Sequence, residues 1–430
     1  MPFAALDLHK KVVEAVILDD LGNILYRDRF PATRQELAAF AHRYLSPQHR
    51  VALEATTNTW PVVALLQPLV AEVVVSNPLR TRAIAEAKIK TDRVDALVLA
   101  QLLRADFLPR VWIPDPDTQH RRRQSTDRAM LVADRTRIKN RIHSILHHRL
   151  IEAPRGDLFT PAHVAWLQDL PLDEQGRQSL DRQLRLLRQV ESELREFTDG
   201  LALDAYQQPQ VKLLMTLPGV DFAVAETLLA ALGDISRFPS GERAAAYLGL
   251  VPSTHQSGEH CYHGRITKQG SGHARWMLVQ AAQHLAPHPG PLGVFFRRLA
   301  QRKNRNVAVV ATARKLVTIA WRMLRDNQPY RYAQPRTTQD KFGRLRIRAR
   351  QGKKKGGLAK GSARPEAYGT GARTRAIASL DEIYRAENLP AIVAPPAGEQ
   401  AMLAARGVSG FAQEVRRTRR IPRASKAAQS

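Results

Sequence analysis

Apolar and polar residues alternate along the first 30 positions of the chain, as they do in half-buried β-strands. The stretch FAALDLHKKVVEAVILDDLGNILYRDRF, residues 3–30, is interrupted by the turn-forming residues Asp20, Gly22 and Asn23. It therefore predicts strands joined by turns. Helices and strands are then predicted in alternation: a helix near 33–45, the strand RVALEA at 50–55, a helix near 60–70, the strand AEVVVS at 71–76 and a helix carrying KTDRVDALVLA at 90–100.

The order of these elements narrows the fold class of residues 1–115. Three strands followed by alternating helices and strands, βββαβαβ, form an α/β layer pattern. This is the element order of the RNase H-like fold, in which the first and fourth strands are neighbours. Residues at the ends of those two strands are therefore predicted to lie side by side.

Residues 116–205 contain no strand pattern and are predicted to be a helical linker. Two long helices packed antiparallel, as in a coiled coil, would bury two apolar stripes, one on each helix. The stripes recur at heptad-like steps on either side of a turn signal: Leu131, Ile138, Ile142 and Ile145, then PLD at 171–173, then Leu180, Leu184, Leu187 and Leu194. A plain helical spacer is the favoured role.

Residues 206–330 are predicted to form a second, mainly α-helical domain. In LLMTLPGVDFAVAETLLAAL (213–232), an apolar helix end, the Pro218-Gly219 turn and a new helix resemble a helix-hairpin-helix. Backbone N–H groups at Gly219 would then face a DNA phosphate. Any two packed helices can share such a turn, so that alternative stays open.

Residues 331–430 are predicted to be a basic, low-complexity tail. KFGRLRIRARQGKKKGGLAKGSARP (341–365) is rich in Lys, Arg and Gly and offers little for a core. We expect disorder here until nucleic acid binds. SLDEIYRAE (379–387) favours a short helix.

Net charge indicates the class of partner. The chain has 430 residues and a formal charge of +26, with an isoelectric point near 10.8. Residues 331–430 hold 22 Lys and Arg against 7 Asp and Glu, so they carry +15 of this charge. An excess of this size points to a polyanion such as nucleic acid.

Other features exclude several protein classes. No apolar run approaches the roughly 20 residues of a membrane span, and MPFAALDLHKK lacks the basic head and apolar core of a signal peptide. The only cysteine, Cys261, excludes an internal disulfide framework and a cysteine-based zinc finger. A cytoplasmic protein without a membrane partner is expected.

Four carboxylates are candidates for a metal site. Asp7 lies near the end of the first strand and Glu54 ends the fourth, where an unpaired carboxylate is unfavourable to bury. Asp92 and Asp95 are three residues apart, hence on one helix face. If that helix packs across the two strands, all four side chains meet and suit two hard divalent cations.

A structural alternative remains for each of these acids. Asp92 could cap its helix together with Thr91, and Asp95 could pair with Arg93 or Arg104 on the surface. For any one of the four acids taken alone, such a structural role is the favoured interpretation. All four on the expected elements favour the metal site, in which two cations would clamp the attacking and leaving oxygens of a phosphodiester.

The segment 244–282 is the second place where chemistry is expected. Ser253 and Ser257 lie in a turn-rich stretch, and a serine hydroxyl can attack phosphate if a base or metal takes its proton. The basic residues nearby would stabilise the charged transition state: Arg265, Lys268 and Arg275. An ordinary basic loop is the alternative.

Two weaker signals complete the candidate residues. His255, His260, Cys261 and His263 could bind zinc, but their spacing matches no known zinc motif. Arg121 and Arg122, in RRRQSTDR, could contact phosphates, although such a charge run is more often a solvated face.

Several motifs in order resemble the DEDD transposases of bacterial insertion sequences. The resemblance covers about residues 3–330 and is carried by DLHK (7–10), LEATTNTW (53–60), KTDRVDALVLAQLL (90–103), LPGVDFAVAETLLAALGDISRF (217–238), YLGLVPSTHQSG (247–258) and ITKQG (266–270). It implies a RuvC-like N-terminal domain, a helical linker and a serine-bearing transposase domain. Family members usually stop soon after the segment matching ARKLVTIAWRMLRDNQPY, so residues 331–430 are unaccounted for.

The resemblance also implies site residues and partners. Asp7, Glu54, Asp92 and Asp95 would be an acidic tetrad holding Mg²⁺, and Ser257 of the QSG motif would form a transient phosphoserine link to DNA. Ser253, close by, is the competing hydroxyl. Similar family members use a guide RNA from the element's own end, which pairs with donor and target DNA, and act as oligomers, here a dimer or tetramer.

Three functions are therefore compared. The main hypothesis is a recombinase in which the tetrad and its metals position and deprotonate Ser257. The alternative is a junction-resolving nuclease that uses water as nucleophile, with the serine segment only gripping DNA. The third, a noncatalytic nucleic-acid-binding protein, is disfavoured by the intact tetrad.

Overall fold

The computed structural model describes residues 1–84, 91–257, 260–350 and 374–422. The chain divides into two compact units, Met1–Asp115 and Pro116–Ser430, called here the N-terminal and C-terminal units. The N-terminal unit contains β1 (Phe3–Leu8), β2 (Val12–Leu18), β3 (Ile24–Pro31), α1 (Arg34–Tyr44), β4 (Arg50–Glu54), α2 (Thr59–Leu66), β5 (Glu72–Ser76), α3 (Pro78–Ile84) and α4 (Asp92–Arg104).

The N-terminal unit is built on a five-stranded sheet with the order β3-β2-β1-β4-β5. β1, β2 and β3 are antiparallel neighbours, whereas β1, β4 and β5 run parallel. Strands one and four are adjacent, as the element order predicted. Parallel strands need crossover connections, which α1 and α2 supply.

Helices cover both faces of this sheet because successive strand residues point to opposite sides. Leu6 and Leu53 face α1 and α2 in one apolar cluster. Ala5 and Ala52 face the other way and pack against α4 in a second cluster. Asp7 and Glu54 each follow two residues after these alanines, on β1 and β4. Their side chains therefore lie on the same face of the sheet, the one covered by α4.

The C-terminal unit is mainly helical among the residues described. Its helices are α5 (Pro116–His147), α6 (Pro161–Asp169), α7 (Glu174–Gln207), α8 (Pro209–Met215), α9 (Phe222–Leu232), α10 (Gly241–Tyr247), α11 (Gly272–Gln283), α12 (Pro291–Arg302), α13 (Arg305–Asp326), α14 (Pro335–Ala349), α15 (Leu380–Ala386), α16 (Ala397–Ala405) and α17 (Ser409–Glu414), with a 3₁₀ turn at Ile235–Arg237. Two antiparallel strand pairs, β6 (Pro252–Ser257) with β7 (His260–Ile266) and β8 (Thr374–Ile377) with β9 (Arg419–Pro422), complete it.

Helices α5 and α7 are long and pack against each other in antiparallel orientation. Ile138 and Ile142 share an apolar cluster with Leu180, Leu184 and Leu187. Contacts at either end of the pair fit this direction, because the start of α5 reaches Gln208 while Arg149, after its end, pairs with Asp173 before α7. Most of the predicted apolar stripe residues are thus buried, although Leu131 and Ile145 are only half-buried.

The segment after residue 330 differs from the disordered tail predicted from its composition. Phe342 and Leu345 of α14 and Tyr384 of α15 are buried in the same core as α8, α9 and α13. The short helix predicted at 379–387 corresponds to α15. Most of the Lys- and Gly-rich run falls in 351–373, which lies outside the described residues, as do 423–430.

Lys341 shows how closely this segment is joined to the core. Its buried ammonium group donates hydrogen bonds to the carbonyl oxygens of Met215, Leu217 (2.7 Å) and Val220 (3.0 Å). These carbonyls lie at the end of α8 and in the turn that follows it. Lysine supplies three donors, so this one side chain satisfies three buried acceptors that the helix end leaves open.

None of the helices in the described parts of the chain is both long and apolar enough to cross a bilayer.

Candidate functional site

The N-terminus of α4 carries two of the predicted metal ligands. Thr91 caps the helix by accepting a hydrogen bond from the Val94 amide, and Asp92 and Asp95 occupy its first turn. At the other end of α4, Arg104 donates to the Asp20 carbonyl, in the turn before β3. The first turn of the helix therefore lies over the carboxyl ends of β1 and β4, which carry Asp7 and Glu54.

His9 joins two of these acids directly. Its Nε2 lies 3.0 Å from Asp7 Oδ2 and 3.3 Å from Asp92 Oδ1. Asp7, His9 and Asp92 each offer a ligand atom, and these atoms lie within 4.8 Å of one another. The three side chains thus form a cluster of metal-ligand size.

The electrostatics of Asp7 fit a cation. Burial raises the pKa of its carboxyl group, the nearby His9 opposes that rise, and the charges of Asp92 and Asp95 add to it. Three carboxylates are therefore close enough to repel one another. A divalent cation with oxygen and imidazole ligands would offset that repulsion.

Glu54 is the fourth candidate and is placed by strand register. Leu6 pairs with Leu53 in the parallel β1/β4 ladder, so Asp7 and Glu54 occupy the next positions on neighbouring strands. The Glu54 backbone carbonyl also accepts a hydrogen bond from Thr59 Oγ1 (3.1 Å), which holds the start of α2 at the strand end. The four predicted acids therefore lie at one edge of the sheet.

The predicted serines lie in a β-hairpin, not in a turn-rich loop. β6 and β7 pair antiparallel, with Ser257 opposite His260 as the last pair. The connecting residues 258–259, which include the glycine of the QSG motif, lie outside the described residues. Ser257 is therefore the last residue of its strand.

Ser253 has a different environment at the other end of β6. Its hydroxyl oxygen packs against Gly264, within 2.5 Å of where a β-carbon would stand on that residue. The ladder is irregular between Pro252 and Thr254, where Ser253 lies. The Ser253 hydroxyl thus lies over Gly264 of the facing strand, where a larger residue would displace it.

The alternative zinc site is not supported by the hairpin register. His255 pairs with Tyr262 and their rings stack, with centroids 5.1 Å apart. Cys261 is the neighbour of Tyr262 in the strand, so it points to the opposite face. His255 and Cys261 therefore cannot both bind one ion at this hairpin.

The predicted helix-hairpin-helix turn connects α8 to α9. Gly219 has φ of +77°, and a β-carbon there would overlap the Ala281 carbonyl of α11. Both observations require glycine at this position. The turn is thus packed against α11 as well as held by Lys341.

The predicted phosphate-binding arginines Arg121 and Arg122 both make contacts within the protein. Arg121 hydrogen-bonds Gln208 and lies 3.4 Å from Glu226, and Arg122 donates to the Ala230 carbonyl at the end of α9. These contacts anchor α5 to α9.

The basic residues around the serine hairpin are less uniform. Arg275 donates to the carbonyls of Leu248 and Gln269 (both 2.9 Å), whereas Arg265 and Lys268 are exposed. A nucleic-acid contact by any of the predicted basic residues remains a prediction.

Two family models match separate segments of the chain. Residues 4–149 match a DEDD family model described as "Transposase", and residues 211–293 match one described as "Transposase IS116/IS110/IS902 family".

The chain belongs to the DEDD transposases of insertion sequences.

Relatives of this transposase span most of its length. It is 28% identical to the transposase for insertion sequence element IS1328 of Yersinia enterocolitica, over 74% of this chain and 94% of the relative. It is 31% identical to the putative transposase y4qE of Sinorhizobium fredii, over 58% of this chain and 60% of the relative. The pilin gene-inverting protein of Moraxella bovis is 26% identical, over 67% of this chain and 84% of the relative.

The resemblance inferred from the sequence motifs of the transposase is thereby confirmed. His9 belongs to the cluster with Asp7 and Asp92 and was not among the residues predicted from the sequence, although it stands in the DLHK motif that carried the resemblance. Residues 150–210 and 294–430 of the transposase lie outside both family models.

Proposed function

We propose that this transposase cuts and rejoins DNA through a covalent phosphate link to Ser257, while an acidic tetrad of Asp7, Glu54, Asp92 and Asp95 binds two Mg²⁺ ions. The observation that carries the proposal is the approach of Asp7, His9 and Asp92 to within metal-ligand distances of one another. Family membership alone names an activity but assigns no residue.

The fold of the N-terminal unit supports this assignment. An antiparallel β1–β3 meander extended by two parallel strands, in the order β3-β2-β1-β4-β5, is the arrangement expected of an RNase H-like, RuvC-like domain. In such a sheet the acids of β1 and β4 are neighbours and the α4 acids face them. The observed placement of Asp7 and Asp92 agrees with that expectation.

The residues at this edge suit magnesium. Carboxylate oxygens are the ligands that hard divalent cations prefer, and His9 would join them or give way to the ion. A bound cation would neutralise charge on the attacked phosphate and lower the pKa of a hydroxyl nucleophile. Four carboxylates can hold two such ions, with Glu54 and Asp95 completing the ligand set.

The serine chemistry follows the usual logic of nucleophilic catalysis. The Ser257 oxygen attacks a DNA phosphorus, one phosphodiester P–O bond breaks, a strand hydroxyl leaves and the serine proton passes to a base. A hydroxyl of the new partner strand then attacks the phosphoserine and releases the serine. Each step replaces the P–O bond that breaks with a new P–O bond. The bond energy is therefore kept in the phosphoserine link, and no ATP is needed.

The proposal includes the partners implied by family resemblance. These are the DNA of the element ends and of the target, a guide RNA, and one or three further copies of the chain. The +26 charge supports binding of nucleic acid. Arg265, in the second strand of the serine hairpin, and Lys268, just after it, are exposed. We expect the assembly to act in the cytoplasm, on the nucleoid.

The test is a search for a covalent protein–DNA adduct. Purified protein is incubated with Mg²⁺, the junction DNA of the element and RNA transcribed from its flank, and adducts are resolved on a denaturing gel and mapped to a peptide. An adduct on Ser257 that needs the metal supports the proposal. Asp7→Ala and Ser257→Ala should abolish strand exchange and retain nucleic-acid binding.

The same experiment distinguishes the water-using nuclease. Cleaved DNA without any adduct would assign the attack to water and reduce Ser257 to a phosphate contact. Strand exchange by Ser257→Ala would overturn the proposed mechanism outright.

A further inference from the structure

Four arginines from three helices of the C-terminal unit line one cavity, called here the arginine pocket. Arg128 and Arg135 come from α5, Arg195 from α7 and Arg348 from α14, and the cavity has a volume of about 360 Å³. One carboxylate, Glu191, is in its lining. The walls of the pocket are therefore strongly cationic.

The carboxylates near the pocket are too few to balance its four arginines. Glu191 lies 3.7 Å from Lys139, and Arg348 is paired with Asp199 at 2.6 Å. Among the described residues, neither Arg135 nor Arg195 has a carboxylate within ion-pair distance. The pocket thus keeps an excess of positive charge.

Arg128 is the most constrained member of the pocket. Its Nε atom is buried and has no hydrogen-bond acceptor among the described residues. Burial lowers the pKa of its guanidinium, Asp221 opposes that shift, and the charges of Arg135 and Arg348 add to it. A buried donor without an acceptor and three guanidinium groups within electrostatic reach are unfavourable unless an anion enters.

The anion is best matched by the backbone of a nucleic acid. Guanidinium groups bind phosphate oxygens through paired N–H donors. Arg128 and Arg135 are seven residues apart on α5, a rise of about 10 Å, which exceeds the size of one phosphate group. A row of this length fits successive phosphates of one strand better than a single small anion.

We propose that the arginine pocket binds consecutive backbone phosphates of a nucleic-acid strand. The pocket shares no residue with the serine hairpin or the acidic tetrad, and none of its residues is among the predicted site residues. Arg195 and Arg348 lie outside the segments matched by the family models. The segment after residue 330 thereby contributes a defined side chain, through α14, to nucleic-acid binding.

The test compares two double variants of equal charge. Arg135→Gln/Arg195→Gln removes two pocket arginines. The control, Arg141→Gln/Arg182→Gln, removes two exposed arginines from the same two helices. Arg141 projects about 240° around α5 from Arg135, and Arg182 about 220° around α7 from Arg195, so both control residues lie on other helix faces. Equal loss of charge cancels any general electrostatic effect.

Binding is measured by fluorescence anisotropy over a series of salt concentrations, without Mg²⁺. The full chain is titrated with labelled single-stranded RNA, single-stranded DNA and duplex DNA of one mixed sequence. We expect the pocket variant to lose about tenfold or more in affinity relative to the control, and the salt slope to fall by about one to two. The probe that loses most identifies the strand that occupies the pocket.

A second measurement separates binding from folding. Removing mutually repelling arginines should leave the thermal unfolding midpoint unchanged or raise it relative to the control variant. A lower midpoint for the pocket variant would mean that these arginines stabilise the fold, and would overturn the proposal. Equal affinities of the two variants for all three probes would also overturn it, whatever the outcome of the Ser257 experiment.

Discussion

The imidazole of His9 lies 3.0 Å from the carboxylate of Asp7 and bridges it to Asp92. A basic group at that position partly offsets the charge of a half-buried carboxylate that faces two other acids. The cluster is therefore unfavourable as a set of bare charges and favourable around a cation. This balance makes its stability and its metal binding testable together.

Asp7→Asn should stabilise the protein without metal and remove its response to metal. The substitution deletes a charge that burial and the charges of Asp92 and Asp95 disfavour, so the unfolding midpoint should rise by a few degrees. Adding Mg²⁺ or Mn²⁺ should raise the midpoint of the native protein and of the control variant, but not that of Asp7→Asn. Asp20→Asn, at an exposed turn, is the control, and a metal response retained by Asp7→Asn would exclude Asp7 as a ligand.

Ser257→Ala and Ser253→Ala should differ in adduct formation. Ser257 ends its strand beside the hairpin connection, whereas the Ser253 hydroxyl is packed against Gly264. Ser253→Ala should therefore form the covalent DNA adduct and Ser257→Ala should not, as seen on a denaturing gel. The reverse pattern would identify Ser253 as the nucleophile.

Glu226 should make the protein less stable as pH rises. Burial raises the pKa of this carboxyl to about 7, from 4.5, although Arg121 lies nearby. The unfolded chain then loses the proton first, so stability falls between about pH 4.5 and about pH 7 and stays low above it. Glu226→Gln should recover on the order of 3 kcal/mol at pH 8 and little at pH 4.5.

Urea unfolding at the two pH values measures this difference. Glu193→Gln, at an exposed position of α7, controls for the loss of one carboxylate. A Glu226→Gln gain that is equal at both pH values would show that its ionisation is not the cause.

Lys341→Met should destabilise the C-terminal unit by about 3 kcal/mol or more. The variant leaves three buried carbonyl oxygens, those of Met215, Leu217 and Val220, without their donor. Arg344→Met, at an exposed position of the same helix, should have a small effect. Equal unfolding curves for the two variants would indicate that α14 is not part of the core in solution.

Gly219→Ala and Gly200→Ala should shift stability in opposite directions. Gly219 has a left-handed backbone, and a β-carbon there would overlap the Ala281 carbonyl, so alanine should destabilise the protein by more than about 1 kcal/mol. Gly200 lies inside α7 with open space around it, and alanine there should stabilise by roughly 0.5–1 kcal/mol. Thermal unfolding of both variants checks the signs, and a neutral Gly219→Ala would contradict the tight packing of the turn.

The sequence alone determined the element order of the N-terminal unit and the acids at its edge. In β1 and β4, apolar residues alternate with polar ones or form a short continuous run, and in α4 they recur every three or four residues. This local periodicity identifies each element. Asp7, Glu54, Asp92 and Asp95 were found because each interrupts or begins such an apolar pattern. The spacing of apolar residues also identified α5 and α7, because in each helix the stripe is formed by residues on successive turns of that same helix.

Only the tertiary structure decided which residues join these elements. Lys341, Phe342 and Leu345 lie in a sequence whose average charge predicts disorder. The carbonyls that accept hydrogen bonds from Lys341 lie at the end of α8 and in the turn after it, over a hundred residues earlier. Phe342 and Leu345 pack in the core that includes α8 and α9. His9 joins the acidic cluster, and Arg128 the arginine pocket, for the same reason. Periodicity is a property of neighbours along the chain, whereas hydrogen bonding, ion pairing and burial depend on which distant groups folding brings within a few ångströms.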